Sequence, residues 1–475
     1  MTLRFGFFCT AVIWGMVFVG GGTAAISPAT AQDALENTQP TINEILQLIE
    51  KNGSFSISSA AADIEIASAR RDQAVAALYP RVTLSATGRV FRTAPEAYRN
   101  ERHDLYGDLE LVQPIYDFGK TSSAIEAATK DTAAAADLEI YARNTVLMEG
   151  MALFFELHAS ELDMRSLFEG HASAYVRWER SKERLDLGQT SPVDVAKALT
   201  LVEQTRLVYY RERNHNIALR LRLEELTGRF IEDELFSPPK PPLTGPPNLD
   251  RHEFSKAVFL RNPQLGSLLK QAEAKGILRA GTGSMPSLEA YGNIRKSSIA
   301  LRGRKDYEIG ARLSWPIFDG GIDQSRRSML AGEEKRLHAA IGQKRSQLRI
   351  QAHEALLEIQ NSYQQVVAAR AQLDYTRRNL LLRQQLYQQD RAADLGRAMI
   401  ENTAAEAEVV RATGIYYLDL AHVSLLLGEH PGKALEPDFL TSLLAHSGEP
   451  VQQYIPKGGS GFGQDDQNKT NRKIE

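Results

Sequence analysis

Between Pro114 and Pro192 the chain has no proline, and between Pro316 and Pro431 it again has none. Proline removes a helical hydrogen bond and clashes with the preceding turn, so such stretches are where long helices can run unbroken. Both are rich in Ala, Leu, Gln, Glu and Arg, which are good helix formers. A helix filling most of the first stretch would be roughly 100 Å long. That exceeds an ordinary globular-domain helix and points to a coiled coil or a barrel of helices.

Within the second stretch, Leu348, Ala352, Ala355, Ile359, Ser362, Val366, Ala369 and Leu373 recur at alternating spacings of four and three. This is a coiled-coil seam. Half of it is Ala or Ser, which lets a neighbouring helix come close. An ordinary core stripe would use the same residues, but the sustained register favours a long packed hairpin.

The chain repeats itself. Pro114-Ile115-Tyr116-Asp117-Phe118-Gly119 reappears as Pro316-Ile317-Phe318-Asp319-Gly320-Gly321. Pro80 and Pro286 each precede an alternating strand, and Leu187-Gly188 returns as Leu395-Gly396. Three anchors in one order, with slowly growing spacing, indicate a tandem duplication. The expected boundaries are a first repeat over 32–236, a Pro-rich linker over 237–250, a second repeat over 251–447 and a flexible tail over 448–475. Asp117 and Asp319 fall at strand-to-helix junctions, where capping of the long helices is their simplest reading.

Each repeat carries two strands, expected at about 81–92 and 105–114, then 287–296 and 305–316. Val82, Leu84, Ala86 and Val90 alternate with Thr83, Ser85, Thr87 and Arg89; Tyr307, Ile309, Ala311 and Leu313 alternate with Glu308, Arg312 and Ser314. A tilted membrane-barrel strand needs this two-residue period over about ten residues, with one face to lipid and one to a wet lumen. A half-buried soluble sheet gives the same pattern in one strand, but four such strands flanked by very long helices favour the barrel. Four strands cannot close a barrel in lipid, which tolerates no open edge. Two copies would supply eight strands and three would supply twelve.

Arg4 followed by the apolar run Phe5–Val19 and by Ala29-Thr30-Ala31 reads as a secretory leader over 1–31. A membrane anchor is the alternative, although the run is short for a span. Of 475 residues, 43% are hydrophobic and the net charge is −3. That excludes a disordered chain and gives no electrostatic case for nucleic acid. The single cysteine, Cys9, excludes a disulfide framework and a cysteine-ligated zinc site. No His-x-x-x-His, His-Glu-x-x-His or phosphate-loop pattern occurs, so neither an enzyme nor a cofactor is expected.

The duplicated order of helix, Pro-led strand, strand, Pro-Ile-Tyr/Phe-Asp-x-Gly, long helix, Leu-Gly turn and helix resembles the TolC family of outer-membrane channels. Leu78-Tyr79-Pro80-Arg81 looks like that family's entry into its first strand, and Arg261-Asn262-Pro263 like its Asn-Pro element. The first repeat has Asn52-Gly53-Ser54 there instead. The resemblance covers roughly Thr41 to Leu427. It implies a mainly α fold with a transmembrane β contribution: a homotrimer with a twelve-stranded barrel in outer-membrane lipid and a periplasmic helical tunnel. It also implies a passive exit duct for a tripartite efflux pump or a type I secretion system, with an inner-membrane transporter and a periplasmic adaptor as partners. A coiled-coil adaptor or scaffold of the periplasm is the competing reading, but adaptors usually present one hairpin and soluble β modules.

Leu187-Gly188-Gln189-Thr190-Ser191-Pro192-Val193-Asp194-Val195 resembles the family's Gly-x-x-x-x-x-Asp-Val turn, where the adaptor docks. Gly188 suits a left-handed helix end, and Ser191-Pro192 a helix start. A turn that serves only folding demands the same residues. In the second repeat Gly396, Ile400 and Asn402 take the corresponding positions, with Asn402 in place of the family's Asp. Ala405 stands where some members carry a second Asp, so Glu401 and Glu406 are the remaining candidates for an acidic constriction. The junction candidates are Pro114, Tyr116, Asp117 and Gly119, then Pro316, Phe318, Asp319 and Gly321.

Overall fold

The computed structural model describes residues 41–91, 102–231, 239–242, 245–247, 249–298, 306–389, 394–436 and 439–440. The expected leader, the tail and part of the Pro-rich linker lie outside the described residues. The first half holds α1 (Ile42–Asn52), α2 (Phe55–Ala76), β1 (Arg81–Phe91), β2 (Arg102–Tyr116), α3 (Lys120–Asp186) and α4 (Pro192–Thr227). The second half holds α5 (Arg251–Arg261), α6 (Pro263–Ala280), β3 (Ser287–Ser297), β4 (Tyr307–Ser314), α7 (Ile322–Gln388) and α8 (Leu395–Leu426), followed by a 3₁₀ turn at Pro431–Leu435. The order is the same in both halves. The two long helices, α3 and α7, are each 67 residues long and lie within the two proline-free stretches.

The helices stand side by side in a palisade. Near the strands the order is α2-α3-α6-α7, and towards the hairpin tips it is α4-α3-α8-α7. Every residue of the coiled-coil seam is buried, from Leu348 at 0% exposure to Leu373 at 9%. Ala352, Ala355 and Ala369 let α8 lie close along α7, which packs against it. Ser362 turns its hydroxyl back to the Glu358 carbonyl at 2.9 Å, so a polar atom sits in the seam without an open hydrogen-bond demand.

The largest core forms a belt half-way along the palisade. Thr41 and Glu44 close a capping box at the start of α1. Ile42, Ile45, Leu46 and Ile49 then form one apolar stripe, all buried in the core shared with Leu147 and Phe154 of α3. Ile49 seats against Gly150: a Cβ there would lie 2.2 Å from the Ile49 Cδ1, so glycine is what permits this approach. Fully burying a side chain such as Ile49 or Phe154 is worth about 1.5–3 kcal/mol.

The four strands form one antiparallel sheet in the order β1-β2-β3-β4. The first strand of each expected pair, β1 and β3, ends within one residue of expectation, while β2 begins three residues early, at Arg102, and β4 two residues late, at Tyr307. β2 runs past Pro114 to Tyr116, because a register irregularity between those residues absorbs the missing proline donor. β4 stops at Ser314, ahead of Trp315 and Pro316.

Candidate functional site

The sheet has two chemically opposite faces. Leu84, Leu109, Ile294 and Tyr307 are register partners in one row across all four strands. They are 78%, 40%, 60% and 74% exposed in the single chain. Val82, Leu111, Gly292 and Ile309 form the next row of that face. The opposite face is polar. Asp104 pairs with Arg89 at 3.0 Å and Asp108 with Arg295 at 2.9 Å, while Asn293 donates to Asp108 at 2.9 Å. At the foot of the sheet, Tyr79, Tyr116, Trp315 and Phe318 are all exposed, which matches the aromatic girdle of a membrane barrel. β1 and β4 each have one edge without a strand partner among the described residues.

Both strand-to-helix junctions use the same device. The Asp117 carboxylate accepts from the Thr121 amide at 2.8 Å and from its hydroxyl at 2.5 Å. Asp319 accepts from Gly321 N at 2.8 Å and Asp323 N at 2.7 Å, and these backbone donors hold its carboxyl below the usual range. Each Asp is followed by two residues with positive φ: Phe118 (57°) and Gly119 (94°), then Gly320 (68°) and Gly321 (87°). Phe118 therefore sits in a left-handed conformation that its counterpart meets with glycine, and its ring packs edge-on against Tyr116 at 4.7 Å. Pro114 lies within β2, and Pro316 lies just beyond β4.

The first hairpin tip is a closed double cap. Gly188 takes φ 69° and donates to the Leu185 carbonyl at 2.9 Å, while Gln189 N reaches back to Arg184 O at 2.8 Å. Two residues on, Ser191 caps α4, with Pro192 in its first turn. Asp194 N donates to Ser191 Oγ at 3.2 Å. The Asp194 carboxylate accepts from the Ser191 hydroxyl at 2.7 Å and from Thr190 Oγ1 at 3.3 Å. The Ser191 hydrogen bonds hold the Asp194 carboxyl below its ordinary value. Val195 is half-buried. Leu187 and Val193, which the motif contains but assigns no role, flank this turn at 70% and 75% exposure. Apolar residues on either side of a glycine turn were the available signal for them.

The second tip is built differently. α7 ends at Gln388, and residues 390–393 lie outside the described residues. Asp394 caps α8, accepting from Arg397 N at 3.2 Å, so Leu395 and Gly396 fall inside the first helical turn. This corrects the expectation of a Leu-Gly turn: the aspartate cap starts the helix before the glycine, which has no positive φ to terminate anything. Asp394 is a helix-start signal in the sequence that competes with the glycine, and in the structure the aspartate prevails. Gly396 lies beside Ser173 of α3, and Ser166 donates to the Ile400 carbonyl at 3.1 Å. Glu401 pairs with Arg397 at 2.8 Å. Glu406 takes Arg377 at 3.4 Å and the Asn402 amide at 3.2 Å. Each candidate constriction carboxylate therefore has a guanidinium beside it. Glu169 of α3, which sequence reasoning missed, joins this cluster through Thr403, and burial pushes its carboxyl up.

The family model described as outer membrane efflux protein matches residues 45–229 and 261–429. The structure is similar to the Campylobacter jejuni CmeC outer membrane channel, with a TM-score of 0.63 and 19% identity over 86% of this chain and 93% of that one. The outer membrane protein VceC from Vibrio cholerae aligns with a TM-score of 0.61 and 16% identity, covering 82% of this chain and 96% of its own. The open state of the Neisseria gonorrhoeae MtrE outer membrane channel gives 0.61 and 17%, over 82% and 90% of the two chains. No curated protein matches the chain by sequence alone. At these identities the structures establish the shared fold.

Proposed function

Because the chain belongs to the outer membrane efflux protein family, we propose that three copies of it form the exit of a tripartite export machine, with a periplasmic adaptor on the Gly188 tip and an inner-membrane transporter supplying the energy. The protein is an outer-membrane exit duct with a periplasmic helical tunnel, and not an enzyme. Among the described residues no helix is long and apolar enough to cross a membrane. The sheet has the faces for it.

The observation that carries the trimer is the pair of open edges on β1 and β4 beneath one continuous apolar face. Lipid tolerates no unpaired edge. An even number of antiparallel strands lets the β4 of one copy meet the β1 of the next with the alternation intact. Two copies would make an eight-stranded barrel, whose interior is just wide enough for its own side chains. The inner face here carries Arg89, Asp104, Asp108 and Arg295. Three copies leave a wet lumen inside that lining.

The adaptor reading rests on the exposed Leu187 and Val193 beside a turn whose backbone is fully capped. A rigid, solvent-facing apolar pair is the kind of feature a helical hairpin partner can cover.

Thr83→Cys/Arg312→Cys places one thiol on each edge strand. Treated with a bismaleimide, this variant is expected to give a crosslinked ladder that stops at three chains. A ladder that stops at two would overturn the trimer. For the adaptor, a strain lacking the gene is expected to regain resistance to toxic compounds with the wild type but not with Leu187→Asp/Val193→Asp. Full rescue by that variant would overturn docking at this tip.

A further inference from the structure

A cavity of about 330 Å³ opens between α3, α4 and α8. Phe155, Ile415 and Leu418 make an apolar floor. Gly414 is the residue that shapes it: a Cβ there would lie 2.7 Å from the Phe155 Cβ, so any other residue would push α8 away. The volume falls in the range of small-molecule sites, and so does the combination of an apolar floor with a few converging polar groups.

The polar groups select the sign of a ligand. Glu156, Asp163 and Glu212 line the cavity together with Arg411 and His215, so the lining is net negative whether or not the imidazole is protonated. Arg411 is divided between Asp163 at 2.5 Å and Glu408 at 2.6 Å. Glu212 is held by a neutral donor, the Ser160 hydroxyl at 2.5 Å, and Glu156 by His215 at 3.2 Å. Burial, reinforced by the charges of Glu212 and Glu408, pushes the Asp163 carboxyl up. Half-buried negative charge beside an apolar surface is complemented by an amphipathic cation.

The cavity also has a definite side. A helix turns about 100° per residue. Ala152, Phe155, Glu156, Ala159 and Asp163 therefore share the face of α3 opposite Gly150, Phe154 and Leu157. On that opposite face Ile49 of α1 seats against Gly150. The belt helix would obstruct a duct if it lay inside, so it lies outside and the cavity faces the lumen. Its walls come from one copy: α3 and α8 are interior to the α4-α3-α8-α7 order, and α4, which carries Glu212 and His215, is the edge helix.

We propose that this cavity is a cargo-contact site in the tunnel wall, holding small amphipathic organic cations with their apolar body over the floor and their charge between Glu156 and Glu212. Its exposure to the lumen rests on the duct reading; the binding chemistry does not.

The test uses the purified full-length protein in detergent, with ethidium as the cationic probe and anilinonaphthalene sulfonate as an anionic one. Fluorescence titration is expected to show saturable ethidium binding, one per chain, at least tenfold tighter than the anionic dye. Glu156→Gln/Glu212→Gln is expected to weaken ethidium at least tenfold. Ala152→Phe, which fills the space and keeps every charge, is expected to abolish it. Equal binding of the two dyes by the wild type overturns the proposal without any variant, and so does unchanged ethidium binding in either assembled variant. Export by the same variants is measured separately. Loss of binding with intact export confines the failure to the cargo-contact role, whereas a wild type that binds ethidium but does not restore export to a deletion strain contradicts the duct.

Discussion

The buried side chain of Asn262 joins the start of one helix to the end of another: it donates to the Leu426 carbonyl at 2.9 Å, while its Oδ1 accepts from Leu265 N at 3.0 Å. Asn52 makes the corresponding bond to the Leu226 carbonyl at 3.3 Å, at an exposed site. The duplication has thus kept the Asn-to-helix-end link in both halves while burying only the second. Asn262→Ala leaves a buried amide and a buried carbonyl without this partner and is expected to cost about 1–3 kcal/mol. Asn52→Ala is expected to cost less than about 1 kcal/mol. Urea midpoints of the two variants in detergent check the ranking, and equal losses would contradict it.

At the Gly188 tip the depressed Asp194 carboxyl sets a pH dependence. A carboxyl whose folded pKa lies below its unfolded value adds stability above that unfolded value, and the contribution is lost as pH falls through the folded one. The cap is therefore intact at neutral pH and weakens only below about pH 4. Amide exchange of Asp194 and Val195 is expected to quicken there in the wild type. Asp194→Ala should show the faster exchange already at neutral pH, because the carboxylate that accepts from the Ser191 and Thr190 hydroxyls is gone.

The left-handed pairs after Asp117 and Asp319 differ at one position, Phe118 against Gly320. Gly320→Phe is expected to fold, since the first junction already holds Phe in this conformation, at a cost of roughly 1–2 kcal/mol. Gly119→Phe would put two consecutive bulky residues in that region, with no counterpart in either half, and should destabilise by more. Thermal midpoints of the two variants, compared directly, decide it.

The row Leu84–Leu109–Ile294–Tyr307 faces outward, and Thr83 on the neighbouring position faces the polar side. Leu84→Arg is expected to cost about 2–4 kcal/mol near the middle of the bilayer, whereas Thr83→Arg, towards the lumen, should be tolerated. The fraction of each variant that assembles in the outer membrane is the readout. Better assembly of Leu84→Arg than of Thr83→Arg would mean that the faces are reversed, and equal assembly would mean that neither face meets lipid.

Much of this fold could be read from the sequence because its signals are periodic. The seam from Leu348 to Leu373 repeats often enough that register alone identifies the buried face, and the alternation along Tyr307–Ser314 separates the two faces of β4. The second tip was not readable in the same way. Asp394 and Gly396 are two single-residue signals two positions apart, one starting a helix and one ending it, and only the packing of α8 on Ser166 and Ser173 shows which applies. The Asn262–Leu426 link and the cavity under Gly414 join residues from distant parts of the chain. Such contacts leave no local pattern.

Phe154 lies half-way along α3, in the belt where α1 packs against that helix. Below it the helix runs on for roughly 50 Å before reaching Leu187. The palisade is therefore a set of lever arms pivoted at their waist. Each degree of tilt at the belt would carry a tip through about 1 Å, so a partner that gripped Leu187 and Val193 would work with large travel and little force.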